Sequence, residues 1–171
     1  DFDGDGDLDL FIGGRVVPEY YPFPPDNILL QNDGLGNFED VTKVKAFELR
    51  NVGMVTSAVW NDIDNDKDLD LMVVGEWMDI TLFINDQGVL KKSENSNGLK
   101  NTSGWWNSII SKDLDNDGDT DFIIGNLGEN HKFHASIDKP FHVYANDYDM
   151  DGKFDVFLAK HYKDRQVPVR G

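Results

Sequence analysis

Apolar residues along this chain come in short runs of strand length rather than at helical spacing. The runs at 8–14 (LDLFIGG), 69–75 (LDLMVVG), 120–126 (TDFIIGN) and 154–160 (FDVFLAK) are rich in β-branched and aromatic residues, the composition of strands. Strand-like runs at 55–61 (VTSAVWN), 106–112 (WNSIISK) and 141–146 (FHVYAN) precede three of them. Two further segments, 27–42 (NILLQND, GLG, NFEDVT) and 80–93 (ITLFIND, QG, VLKKS), each read as two strands around a Gly-containing turn. The continuity of LFIGG and LMVVG predicts sheets covered on both faces.

Between the paired runs lies one nine-residue pattern, repeated four times: DFDGDGDLD (Asp1 to Asp9), DIDNDKDLD (Asp62 to Asp70), DLDNDGDTD (Asp113 to Asp121) and DYDMDGKFD (Asp147 to Asp155). Each has Asp at positions 1, 3, 5 and 9. The unit is therefore inner strand, acidic loop, second strand, third strand, tight turn, fourth strand. Four antiparallel strands every ~40–60 residues mark a propeller blade. The expected fold is all-β, a β-propeller segment with approximate blades at 1–52, 53–103 and 104–146 and the start of another at 147–171. Successive loops start 61, 51 and 34 residues apart. The short last interval predicts a third blade that is reduced or completed elsewhere, with an irregular excursion between Gly125 and Pro140.

Charge sharpens this picture. The formal net charge is −16, and the four loops hold 19 of the 26 Asp residues, no Glu, and only Lys67 and Lys153 as cations. The loops sum to −17 and the rest of the chain to +1. The protein is thus near neutral apart from four anionic points. No basic patch is visible, which argues against a nucleic-acid partner. Cysteine is absent, and no apolar run approaches the ~18 residues of a membrane span. The chain begins inside a repeat and ends on VPVRG. It reads as part of a longer protein, so the lack of a leader at Asp1 says little about export.

Carboxylates this dense repel one another unless a hard cation sits among them, and Ca²⁺ takes six to eight oxygens at about 2.3–2.6 Å. An EF-hand needs a bidentate Glu at position 12. That position is Ile12, Val73, Ile124 and Leu158, which excludes it four times. Cysteine-dependent calcium repeats are excluded as well. A nine-residue loop in a β-hairpin, closed by the position-9 Asp, remains. Candidate ligands are Asp1, Asp3, Asp5, Asp7 and Asp9; Asp62, Asp64, Asp66, Asp68 and Asp70; Asp113, Asp115, Asp117, Asp119 and Asp121; and Asp147, Asp149, Asp151, Lys153 and Asp155. Position 7 would ligate through its carbonyl, so Lys153 need not spoil the fourth site. Gly6, Gly118 and Gly152 at position 6 suit a turn with positive φ. Lys67 must accept a strained backbone there, or its loop is more open. Up to four Ca²⁺ are expected.

These phrases resemble the FG-GAP or VCBS-type repeats of integrin α-like β-propellers. DGDGDLDLFIGGRVVPEYYPFPP, LLQNDGLGNFEDVT and NSIISKDLDNDGDTDFIIGNLG are most similar to large VCBS-repeat surface proteins of Bacteroidetes related to cartilage acidic protein. The resemblance covers nearly the whole chain, and Lys67 and the short last interval depart from it. It implies a seven- or eight-bladed propeller of which about three blades are present. It also implies an extracellular or bacterial cell-surface location and a binding role rather than a catalytic one.

Other candidates are weaker. His131 and His134 form an i, i+3 pair without the partners of a zinc site, and His142 and His161 complete the histidines. No nucleophile elbow is present. Trp60 reads as core. Trp105 and Trp106 must face opposite sides of a strand, so one should reach an interface or rim, where it could stack on a sugar. The segment 16–27 (VVPEYYPFPPDN) is a long Pro-rich loop, either a packed lid or a contact patch. The leading reading is a non-catalytic calcium-binding propeller with a protein or glycan partner. The alternatives are the scaffold of a secreted polysaccharide-active enzyme and an accessory subunit of an outer-membrane nutrient-uptake complex.

Overall fold

Twelve strands and very little helix make up the computed structural model, which describes residues 1–94, 98–128 and 133–169. His131 and part of the 125–140 excursion lie outside the described residues. Three antiparallel sheets form. The first orders β1 (Leu10–Ile12), β2 (Ile28–Asn32) and β3 (Phe38–Asp40) side by side. The central sheet contains β4 (Met54–Asn61), β5 (Asp70–Met78), β6 (Thr81–Asn85) and β7 (Leu90–Lys92), paired in chain order. This is one four-stranded up-and-down unit, and the second acidic loop is its first hairpin. The last residues of β5 also pair with β8 (Gly104–Lys112), through Glu76↔Trp105 and Met78↔Gly104. β8 then pairs along its length with β9 (Asp121–Asn126) around the third loop. The third sheet is β10 (His142–Asn146), β11 (Asp155–Tyr162) and β12 (Arg165–Pro168), with the fourth loop between its first two strands. The result is a propeller-like all-β segment. Among the described residues no helix is long and apolar enough to cross a membrane.

β5 explains where the core sits. Its run Leu71-Met72-Val73-Val74 is buried throughout, and successive side chains alternate faces. Leu71 and Val73 join one apolar cluster with Phe2, Leu29, Leu49 and Phe83, towards the first sheet. Met72 and Val74 join a second with Ile80, Leu82 and Ile109, towards β8 and β9. Burying each such side chain contributes about 1.5–3 kcal/mol. A charge at Val73 would break the first cluster. For this strand the expectation of burial on both faces holds.

It fails for β1. Phe11 packs inward, but Leu10 and Ile12, on the other face, are about half exposed. Ile110 and Ile123, cross-strand partners on β8 and β9, are likewise exposed. An apolar run guarantees two buried faces only where a sheet lies on each side. A second difference lies at 37–42. The strand ends at Asp40, and Thr42–Lys45 form a single helical turn, α1, followed by a 3₁₀ turn at Phe47–Leu49. Thr42 is the cause. Its hydroxyl donates to Asp40 at 2.6 Å and accepts from the Leu29 N–H at 2.8 Å, which turns the chain and drops Ala46 and Leu49 into the core.

The Pro-rich loop lies between β1 and β2, and Val16, Tyr20 and Phe23 in it stay about half exposed. Tyr20 and Phe23 meet Phe154 of the fourth loop, with ring centroids 5.6 and 4.9 Å apart. Trp60 is half-buried against the first cluster. Trp106 packs into the second cluster, whereas Trp105 turns to Trp77, so the two do face opposite ways.

Candidate metal centres

The four acidic loops share one backbone design. Position 3 accepts the position-5 N–H through Oδ1: Asp3 from Asp5, Asp64 from Asp66, Asp115 from Asp117 and Asp149 from Asp151, at 3.2–3.3 Å. Position 5 accepts the position-7 N–H in the same way, at 2.8–3.1 Å, including the Lys153 N–H on Asp151. In the last three loops position 1 accepts the position-6 N–H, from Lys67, Gly118 and Gly152. These are Asx turns in series, in which short carboxylate side chains satisfy the loop's own backbone.

Position 6 takes positive φ in every copy: Gly6 +97°, Lys67 +82°, Gly118 +98° and Gly152 +87°. Lys67 therefore accepts the strained backbone, and its loop keeps the same hydrogen bonds. Position 4 is left-handed too: Gly4 +74°, Asn65 +63°, Asn116 +63° and Met150 +62°. Gly and Asn adopt that region more readily than Met, so the fourth loop carries extra strain at Met150.

Position 9 closes the loop. Its Oδ2 accepts the position-2 N–H, Asp9 from Phe2 at 2.9 Å, Asp70 from Ile63 at 2.8 Å, Asp121 from Leu114 at 2.9 Å and Asp155 from Tyr148 at 3.2 Å. In the first two loops Oδ1 is engaged as well. Asp9 accepts the Asn32 N–H and Asp70 the Asn85 N–H, at 2.9 and 2.8 Å. Asn32 and Asn85 answer with their own side chains, donating to the position-8 carbonyls of Leu8 and Leu69. Asn85 also donates to the Phe2 carbonyl at 2.6 Å, which locks the first loop to the central sheet. These two asparagines were not among the expected site residues. The shared phrase Asn-Asp before each Gly-containing turn, in LLQND and LFIND, was the available signal.

The carboxylates converge as groups of three: Asp1, Asp3 and Asp5; Asp62, Asp64 and Asp66; Asp113, Asp115 and Asp121; and Asp147, Asp149 and Asp151. One oxygen from each member lies within 4.8 Å of the others. Oxygens on opposite sides of a Ca²⁺ stand about 4.6–5.2 Å apart, twice the ion–oxygen distance. The donor sets contain oxygen alone, the preference of a hard cation rather than of zinc or copper. The residues therefore fit Ca²⁺. Position 9 belongs to the group only in the third loop, where Asp121 stands in it and the expected Asp117 does not, and the side chains at position 7 belong to none. Like charge leaves its mark: burial, then Asp70 and Asp66, push the Asp64 carboxyl up, and Asp117 above all pushes Asp119 up.

Antiparallel hairpins closed by acidic nine-residue loops, repeated through a propeller-like segment, define the class of protein. The sequence model of the FG-GAP-like repeat matches residues 1–73 and again 62–124. The chain belongs to this family, whose repeats typically occur in extracellular or surface proteins and are generally non-catalytic. Comparison with curated proteins and with solved structures found no match.

Proposed function

We propose that this is a non-catalytic, calcium-stapled β-propeller segment of a secreted or cell-surface protein that binds a protein or glycan partner. Each loop holds one Ca²⁺ through positions 1, 3 and 5, the carbonyl of position 7 and the carboxylate of position 9. The ion cross-links two strands of a hairpin and neutralises carboxylates that otherwise repel. What carries the reading is the fourfold recurrence of one carboxylate-lined turn. A single acidic cluster would mean little, because exposed Asp groups often lie close together. Four copies with the same Asx ladder, three of them joining the strands of a hairpin and the first leading into β1, form a pattern that charge solvation alone does not require. The approximate blades at 1–52, 53–103 and 104–146 follow the loops.

Calcium titration by calorimetry tests this. Stoichiometry should approach four per chain. The double substitution Asp113→Asn with Asp115→Asn should remove one site and leave the others. A stoichiometry near zero, or one unchanged by the double substitution, refutes the assignment.

A further inference from the structure

A cleft of about 670 Å³ opens where β5, β8 and the segment leading to β10 meet, within the about 300–1,000 Å³ range of small-molecule sites. Its floor is aromatic. Trp77, Trp105, Phe133 and Phe141 line it and pack on one another. Trp77 and Trp105 meet edge to face at 5.0 Å, and Phe141 lies 6.0 Å from Trp77 with its ring nearly parallel. The rim is polar and exposed, with Asp79, Asn101, Ser103 and Ser136.

Trp77 is placed by the point at which β5 passes from pairing with β4 to pairing with β8. It sits in the register shift between Glu76 and Met78, at φ +60°, a conformation bulky residues rarely adopt. Its indole N–H donates to the Tyr21 hydroxyl at 2.6 Å. Arg15 pairs with the neighbouring Glu76, at 2.5 Å. The Pro-rich loop thus pins the edge of the indole beside the cleft. A platform fixed before binding loses little entropy when a ligand arrives.

We infer that this cleft is a binding site for a neutral saccharide. A pyranose has a C–H face, which lies against the electron-rich face of an aromatic ring. Its edge carries hydroxyls that need both donors and acceptors. The rim offers both: Asp79 supplies a carboxylate, Asn101 and Asn126 amides, Ser103 and Ser136 hydroxyls, and His134 an imidazole. An apolar peptide side chain would leave those groups facing a surface that cannot bond them. An anionic sugar or a phosphate would meet the Asp79 carboxylate, and among the described lining residues His134 is the sole side chain able to carry a positive charge, with no Lys or Arg beside it. The inference rests on the binding role proposed above and narrows its partner to carbohydrate.

The test uses the intact, calcium-loaded protein with cellohexaose, maltohexaose and β-1,4-mannohexaose as probes, read by calorimetry and tryptophan fluorescence. At least one should bind, and Trp105→Ala should weaken it at least about tenfold, or about 1.4 kcal/mol. Because Trp105 also packs on its neighbours, the exposed pair Asp79→Ala with Ser103→Ala gives a second reading, an expected loss of at least about threefold with unchanged circular dichroism. No binding of any of the three at about 10 mM, far weaker than ordinary recognition, overturns the inference. So does binding that both variants leave intact, or binding of a neutral Trp-containing hexapeptide in place of every saccharide. Each mixture is also assayed for new reducing ends. Binding accompanied by cleavage upholds the saccharide site while overturning the non-catalytic reading; calcium stoichiometry reports separately on the loops.

Discussion

Asp70→Ala should destabilise the central sheet far more than the equivalent change in the fourth loop. Asp70 is fully buried and accepts two backbone N–H groups, from Ile63 and Asn85, each at 2.8 Å. Alanine leaves both donors without an acceptor. A buried N–H that loses its partner costs about 1–3 kcal/mol. The Asn85 amide is wholly enclosed and loses the full amount, whereas Ile63 is half-buried and water can partly replace the carboxylate. The expected loss is therefore about 3 kcal/mol, or roughly 6–12 °C in melting temperature for a domain of this size. Asp155→Ala removes one bond of 3.2 Å at an exposed site, so its cost should stay below about 1 kcal/mol. Asp70→Asn keeps one acceptor oxygen and should recover part of the loss.

Urea unfolding followed by fluorescence reads these differences as midpoint shifts at constant slope. Each variant is measured in saturating calcium and in chelator. The loss found in chelator reports the hydrogen bonds; any additional loss in calcium reports ligation by position 9. Equal costs for Asp70→Ala and Asp155→Ala, or a cost for the former below about 1 kcal/mol, would refute the view that position 9 is first a backbone clamp.

Chelation of the intact protein should lower its melting temperature sharply, since a ligand at a hundredfold excess over Kd contributes ~2.7 kcal/mol per site, and magnesium should restore it poorly because its cage is smaller and stricter; unchanged melting with and without chelator refutes the structural role. Gly75→Ala should cost about 1–3 kcal/mol by overpacking, because a Cβ there overlaps the Met54 carbonyl oxygen and lies 2.7 Å from the Met78 sulfur; a neutral urea midpoint would contradict the tight β4–β5 contact. The Thr42 hydroxyl and N–H hold the Asp40 carboxyl below its usual range. A depressed folded value contributes stability above the unfolded value near ~3.9 and loses it as pH falls through the folded one. Asp40→Ala should therefore be less stable than the parent at pH 7, with the gap closing below about pH 4; a gap that persists at low pH would point to lost packing instead.

Much of this architecture was legible because its two signals are local. Strand runs such as LMVV carry their own propensity, and the acidic loops carry their own hydrogen bonds. What was not legible depends on neighbours distant in sequence. LFI in β1 and LMVV in β5 look alike as strings, yet only β5 has a sheet on each side. The turn at Thr42 arises from a hydroxyl shared between Asp40 and Leu29, and NFEDVT gives no hint of it until β2 is in place. The cleft is assembled from Trp77, Trp105 and Phe141 on separate elements. Its best clue was the Trp105-Trp106 pair, which required one ring to leave the core.

The division of labour within each loop explains which departures the repeat tolerates. Positions 3 and 5 each bond a backbone N–H two residues on, and a carboxylate has about four lone-pair sites. One bond to the backbone therefore leaves capacity for a cation. The same bonds accompany the clustering of positions 3 and 5 with position 1 in three of the four loops. Position 7 contributes its N–H to this ladder, so Lys153 serves as well as Asp7 or Asp119. Position 6 contributes a left-handed backbone, which Lys67 adopts at some cost. Position 9 has no such freedom. Its side chain must reach the position-2 N–H across the loop, and at Asp9 and Asp70 the next hairpin as well. All four copies keep Asp there, although only Asp121 joins the closest carboxylate group. At Asp9, Asp70 and Asp155, which lie outside the carboxylate groups, the backbone hydrogen bonds alone account for the side chain's place in the loop.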